Sequence, residues 1–145
     1  MSIAIKRVYD LPSPQDGARG LVDRLWPRGL SKQAAALDAW LKELAPSDEL
    51  RKWYHAHPEQ WSKFRERYLK ELSSEKVADA LRELYALRDA HHQLTLLFAS
   101  RNLERNNATA LKELMEGDRK PPRGTGPATA ASARRTRAAV RKRAR

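Results

Sequence analysis

The sequence predicts a small three-layer α/β domain, with a mostly parallel sheet flanked by helices, over residues 1–117. A disordered basic tail follows over residues 118–145. Three observations carry this reading. Residues 93–99 (QLTLLFA) form the most apolar stretch of the chain, and a short run of that kind suits a strand covered on both faces, hence central and parallel. Apolar residues at helical spacing recur upstream of it and again downstream. Charge is also unevenly divided: residues 1–117 hold 19 Lys/Arg against 17 Asp/Glu, whereas residues 118–145 hold 10 against one. The net charge of +11 therefore belongs largely to the tail, and an argument from high charge to nucleic acid applies first to it.

Residues 3–9 (IAIKRVY) read as a β-branched strand with Ile3, Ile5 and Tyr9 on one face. Two prolines, two acids and a glycine make residues 10–17 a loop. A short second strand is expected over residues 19–25. Ser31 can cap a short helix through Ala36. Residues 37–44 admit both periods: Leu37, Leu41 and Leu44 suit a helix, but the helix before and Ala45-Pro46 after favour a strand. Ser47 caps a helix carrying Leu50, Trp53 and Tyr54. Pro58 is expected to open the next helix, whose stripe is Trp61, Phe64, Tyr68 and Leu72. Ser73-Ser74 interrupts, and Val77, Ala80, Leu81, Leu84 and Leu87 mark another helix. The last helix carries Leu103, Asn107, Ala110, Leu111 and Leu114 and stops at Gly117. From Asp118 onward proline, glycine, alanine and arginine dominate, and such a segment buries too little apolar surface to offset its chain entropy.

Composition excludes several classes. There is no cysteine, so disulfides, thiolate metal sites and a thiol nucleophile are ruled out. No apolar run approaches the roughly 18 residues of a membrane helix, and the first residues lack the tripartite pattern of a secretion signal. These features point to a cytoplasmic protein without a membrane partner. His55 and His57 have no third ligand nearby in sequence, so no metal is expected. Nothing implies a cofactor.

The most informative stretch is residues 22–32 (VDRLWPRGLSK). It concentrates three cations, a carboxylate, a large aromatic, a rigid proline and a glycine, a mixture that regular secondary structure alone does not require. Together with residues 6–10 (KRVYD), residues 40–47 (WLKELAPS), Leu50-Arg51-Lys52-Trp53-Tyr54 and the run through Asn106-Asn107-Ala108, it resembles the bacterial YeaO-like branch of domain-of-unknown-function family 488. The resemblance covers about residues 3–116. It implies a small α/β fold and a cytoplasmic bacterial protein, and it brings no established reaction. Members usually carry histidine where this chain has Asn107, and often Lys-Asp where it has Arg101-Asn102. Related branches carry cysteine and histidine near the start of the last helix, where this chain has amides. Chemistry that needs a thiol or imidazole there is not expected of this chain, although amides can still hold a ligand.

In open α/β sheets ligands sit beyond the carboxyl ends of strands. Arg24, Arg28, Lys32 and Arg101 follow two predicted strands and could converge on a phosphate, with Trp26 as a wall, Asn106 and Asn107 as amide donors, and the last helix's N-terminus behind them. The competing reading pairs Arg24 and Arg28 with Asp10, Asp23 or Glu43 as structural ion pairs. Asp23, Asp10 and His57 are candidates for acid–base chemistry, though aspartates beside arginines at strand ends are more often salt-bridged. Trp40 and Trp53 could each stack on a base or simply pack a loop. In the tail, Arg134, Arg135, Arg137, Arg141, Lys142, Arg143 and Arg145 form cation clusters without aromatics, suited to salt-sensitive, sequence-independent contact with nucleic acid. The expected function is a binding module for a nucleotide, a nucleic-acid end or another phosphate-bearing small molecule. One alternative is an enzyme on a nucleotide or nucleic acid with an Asp base and Arg charge stabilisers. A second is a protein-interaction domain with structural arginines. The sequence specifies no oligomeric state.

Overall fold

The computed structural model describes residues 2–117. The tail expectations fall on residues 118–145 and lie outside the described residues. Four strands, β1 (Ser2–Arg7), β2 (Ala18–Leu21), β3 (Ala39–Trp40) and β4 (Gln93–Phe98), form one sheet in the order β1-β4-β2-β3, with every pair parallel. Five helices accompany it: α1 (Lys32–Ala35), α2 (Asp48–Ala56), α3 (Trp61–Leu72), α4 (Ala78–Asp89) and α5 (Asn107–Glu116). The fold is thus the expected small α/β domain with a parallel sheet.

The apolar run at 93–99 becomes the inner strand. Leu94 to Phe98 are all buried, because β4 has a neighbour on each edge and cover on both faces. Ile3, Ala18, Leu94, Leu96 and Phe98 join the larger core with Phe64, Tyr68, Leu81, Leu84, Leu111 and Leu114 from α3, α4 and α5. The alternate residues Leu21 and Leu97 turn the other way and meet Val8, Ala35, Trp26, Leu30 and Leu37. This alternation is the two-residue period of a strand.

The second face also holds a buried ion network. Asp16 accepts from Lys6 Nζ at 3.0 Å, from Arg19 at 2.5 Å and from the Ser13 N–H at 3.0 Å. Arg19 continues to the Ala35 carbonyl at 2.7 Å, and the Thr95 hydroxyl donates to the Asp16 carbonyl at 2.7 Å. Each charged group therefore has partners, which is the condition for burying charge at tolerable cost.

Several boundaries differ from the sequence reading. β1 ends at Arg7, so Tyr9 leaves the expected face and stands exposed. β2 ends at Leu21 and not at residue 25, because Val22 N–H makes a last bond to the Leu97 carbonyl and the chain then turns out of the ladder. Of residues 37–44 only Ala39 and Trp40 are strand; Leu41 N–H bonds the Leu21 carbonyl, and a 3-10 turn over Lys42–Leu44 follows. Pro58 does not open α3. It lies in a turn closed by Gln60 N–H on the His57 carbonyl, and α3 starts at Trp61. Leu103 is outside α5, whose cap is Asn106. Ser31 and Ser47 cap as expected, each accepting a backbone N–H three residues on.

Candidate functional site

Two neighbouring strands send their chains to opposite faces of the sheet. After β4 the chain enters α5, which packs in the larger core. After β2 it carries Trp26, Leu30 and Ala35 into the smaller cluster on the other face. A parallel sheet opens a crevice at such a switch point, beyond the carboxyl ends of the strands. Residues 22–32 and 99–107 border it.

Asp23 sits in that crevice. Its Oδ2 accepts the Ala99 N–H at 2.8 Å, and its Oδ1 accepts Asn107 Nδ2 at 3.1 Å. The same amide nitrogen donates to the Val22 carbonyl at 2.8 Å. Burial pushes the Asp23 carboxyl above its ordinary range, and the bonds from Ala99 and Asn107 offset part of that. The two distant segments expected to approach each other do meet here, but through a carboxylate and an amide and not through guanidinium groups.

Each of the expected cations has its own surroundings. Arg24 is half-buried, and its Nη2 reaches the Ala45 and Pro46 carbonyls at 3.3 and 3.5 Å, the second at the limit of a hydrogen bond. Its Nε is buried without a partner among the described residues. Arg28 is exposed in a turn made by Gly29 at φ 77° and closed by Leu30 N–H on the Pro27 carbonyl. Lys32 begins α1 and Arg101 follows β4, both exposed. Among the described residues none of these four side chains forms an ion pair with Asp10, Asp23, Glu43 or any other carboxylate. The structural ion pairs that competed with the anion reading are therefore absent there.

Trp26 donates Nε1–H to the Leu30 carbonyl at 2.6 Å and meets Trp40 edge-on, with ring centroids 5.3 Å apart. Trp40 in turn donates to the Asp23 carbonyl at 2.8 Å, which ties the end of β3 to the crevice. Asn106 spends Oδ1 on the Thr109 N–H and Nδ2 on the Asn102 carbonyl, so its amide shapes the loop and caps the helix. Asp10 is exposed, and its side chain forms no ion pair among the described residues. Trp53 stacks on His57 and lies under Arg67. Among the described residues no group of three His, Asp or Glu could hold a metal ion, and no helix is long and apolar enough to cross a membrane.

Arg7 belongs to this edge and was not singled out from sequence. Its Nη2 donates to the Ala99 carbonyl at 2.9 Å and its Nε to the Ser100 carbonyl at 3.0 Å. An arginine inside a strand reads as a solvated side chain, and only the pairing of β1 with β4 reveals its reach. Across residues 7–10, 22–32 and 99–107 the sequence supplies six cations and three carboxylates, so the crevice is bordered by excess positive charge.

Comparison with known proteins gives the family of the chain. A model of the DUF488-N3i family, described as the inactive DUF488-N3 subclade, matches residues 2–133. The uncharacterized protein YeaO of Escherichia coli (strain K12) is 42% identical over 118 residues, covering 78% of this chain and 96% of YeaO. The uncharacterized protein Rv3073c of Mycobacterium tuberculosis (strain ATCC 25618 / H37Rv) is 38% identical over 115 residues, covering 79% of this chain and 94% of the relative. No solved structure matches. Breadth of the family match and the identity to these relatives lead to one conclusion: this chain belongs to the YeaO-like DUF488 family, in its N3i subclade.

Proposed function

We propose that the protein is a binding module for a phosphate-bearing ligand, a nucleotide or a nucleic-acid end. Arg24, Arg28, Lys32 and Arg101 supply charge at the crevice, and the basic tail adds sequence-independent attraction to nucleic acid. The observation that carries this reading is Arg24: half-buried and, among the described residues, without a carboxylate, held only by two long carbonyl contacts, and with Nε unpartnered. A guanidinium in that state retains donor capacity for an oxyanion. Low-dielectric walls strengthen such an attraction relative to water.

An enzyme on the same ligand class, with Asp23 as base, finds support in the raised Asp23 carboxyl. Both of its oxygens are already bonded, however, and the matching family model is described as an inactive subclade. These facts favour binding. Asp10 remains the weaker base candidate.

The test is calorimetric titration of the full chain with inorganic phosphate and a nucleoside monophosphate at low salt. Arg24→Ala, Arg28→Ala and Arg101→Ala should each weaken binding about tenfold, as expected for one charge-assisted contact. Lys52→Ala, on the exposed face of α2, should leave it unchanged. No saturable binding, or equal affinity in all four variants, would reject the proposal. Turnover of a nucleotide that vanishes in Asp23→Asn while affinity survives would favour the enzyme.

A further inference from the structure

Every large hydrophobic side chain that is exposed among the described residues belongs to a segment at or just beyond the carboxyl end of a strand: Tyr9, Leu11, Leu25, Trp40 and Leu103. All four strands are parallel, so those ends share one edge of the sheet. The segments are also bonded to one another. The Tyr9 hydroxyl donates to the Arg28 carbonyl at 3.0 Å, and Asp23 joins the chain after β2 to the chain after β4. Leu11, Leu25 and Leu103 are 85%, 64% and 60% exposed. Single exposed apolar residues need no explanation, but their collection at one edge marks an interaction site. Arg28 and Arg101 stand exposed on the same segments without carboxylate partners among the described residues.

We infer that this edge docks an acidic segment of a partner protein, whose carboxylates meet Arg28 and Arg101 and whose apolar side chains pack on Leu25, Leu103 and Tyr9. Charge selects the occupant. A second copy of the chain would bring the same arginines face to face, and the chain's own residues 118–145 carry ten cations against one acid. A nucleotide or nucleic-acid end would satisfy the arginines, as proposed above, but its phosphates would leave Leu11, Leu25 and Leu103 in water, whereas a protein segment with apolar side chains accounts for both features. Apolar anchors flanked by unneutralised charge are the anatomy of a protein interface. This inference does not rest on phosphate binding, which needs the cations and not the leucines.

The test places a photo-crosslinker in the full chain as Leu103→p-benzoylphenylalanine, with Glu83→p-benzoylphenylalanine on the exposed face of α4 as control, in the cells that naturally make the protein. The expected result is one protein adduct from position 103 that survives nuclease and is absent from position 83. Its cross-linked peptide is rich in Asp and Glu. Adding Leu25→Ser or Arg101→Glu should cut its yield about tenfold, the loss expected for one anchoring contact, while phosphate affinity survives Leu25→Ser. A nuclease-sensitive adduct, an adduct to a second copy of the chain, equal labelling from position 83, or no adduct would overturn the inference.

Discussion

Asn107 Nδ2 lies 3.1 Å from Asp23 Oδ1 and 2.8 Å from the Val22 carbonyl, so one amide joins the start of α5 to the chain leaving β2 across 84 residues of sequence. Removing it leaves a buried carboxylate oxygen and a backbone carbonyl short of a donor. Asn107→Ala should cost about 2 kcal/mol of stability. A double-mutant cycle with Asp23→Ala should give a coupling of about 1 kcal/mol in urea denaturation, and strict additivity would show that the contact contributes nothing.

Asp16 and Asp23 should give pH dependences of opposite sign. Burial alone would raise Asp16, but bonds from Lys6, the Ser13 N–H and Arg19 outweigh it and hold the carboxyl below its ordinary 3.8. Its stabilisation is present above 3.8 and lost as pH falls through the depressed folded value. Asp23 is raised by burial, so the folded state takes up its proton more readily than the unfolded chain. That contribution is lost as pH rises from 3.8 through the raised value. Asp16→Asn should therefore flatten the acid limb of the stability profile and cost about 3 kcal/mol at neutral pH, since it leaves two cations short of charge. The penalty of Asp23→Asn should shrink as pH rises. Parallel profiles for the two variants would contradict these assignments.

Two glycines with positive φ should respond differently to alanine. At Gly17, φ 64°, a Cβ would lie 2.1 Å from the Gln93 carbonyl oxygen, which is backbone of the inner strand and cannot yield. Gly17→Ala should destabilise by on the order of 4 kcal/mol or prevent folding. At Gly29, φ 77°, nothing lies within 4 Å of the added carbon. Only left-handed strain remains, about 1 kcal/mol. Thermal melts of the two variants decide this, and equal losses would refute the steric account.

The salt dependence of DNA binding should reside in the tail. Replacing Arg134, Arg135, Arg137, Arg141, Lys142, Arg143 and Arg145 by serine in the full chain should lower the slope of log affinity against log salt by up to about 6 for duplex DNA. Fluorescence anisotropy with a labelled duplex measures it. An unchanged slope would transfer the electrostatic contact to the folded region.

How much of the molecule was legible follows from the range of each signal. The inner position of β4 could be read from its own residues, because a strand covered on both faces has no polar side to display. Ser31 and Ser47 were legible as caps because the bond they make reaches only three residues. Pro58 misled because proline suits a helix start and a turn equally, and the stack of His57 on Trp53 belongs to the turn. Arg7 was not recognised as part of the crevice, and Trp40 was expected near its rim but without its partner, since Ala99, Ser100 and Asp23 are remote from them in sequence.

The sequence by itself determined the kinds of element, the caps at Ser31 and Ser47 and the gathering of cations at residues 22–32, all of which depend on spacing within a few residues. Only the tertiary structure decided that the last strand enters between the first two. That insertion sets Asp23 against Ala99 and Asn107. The physical reason is that a parallel ladder takes its partners from distant chain, so the identity of neighbouring strand ends is a property of the assembled sheet.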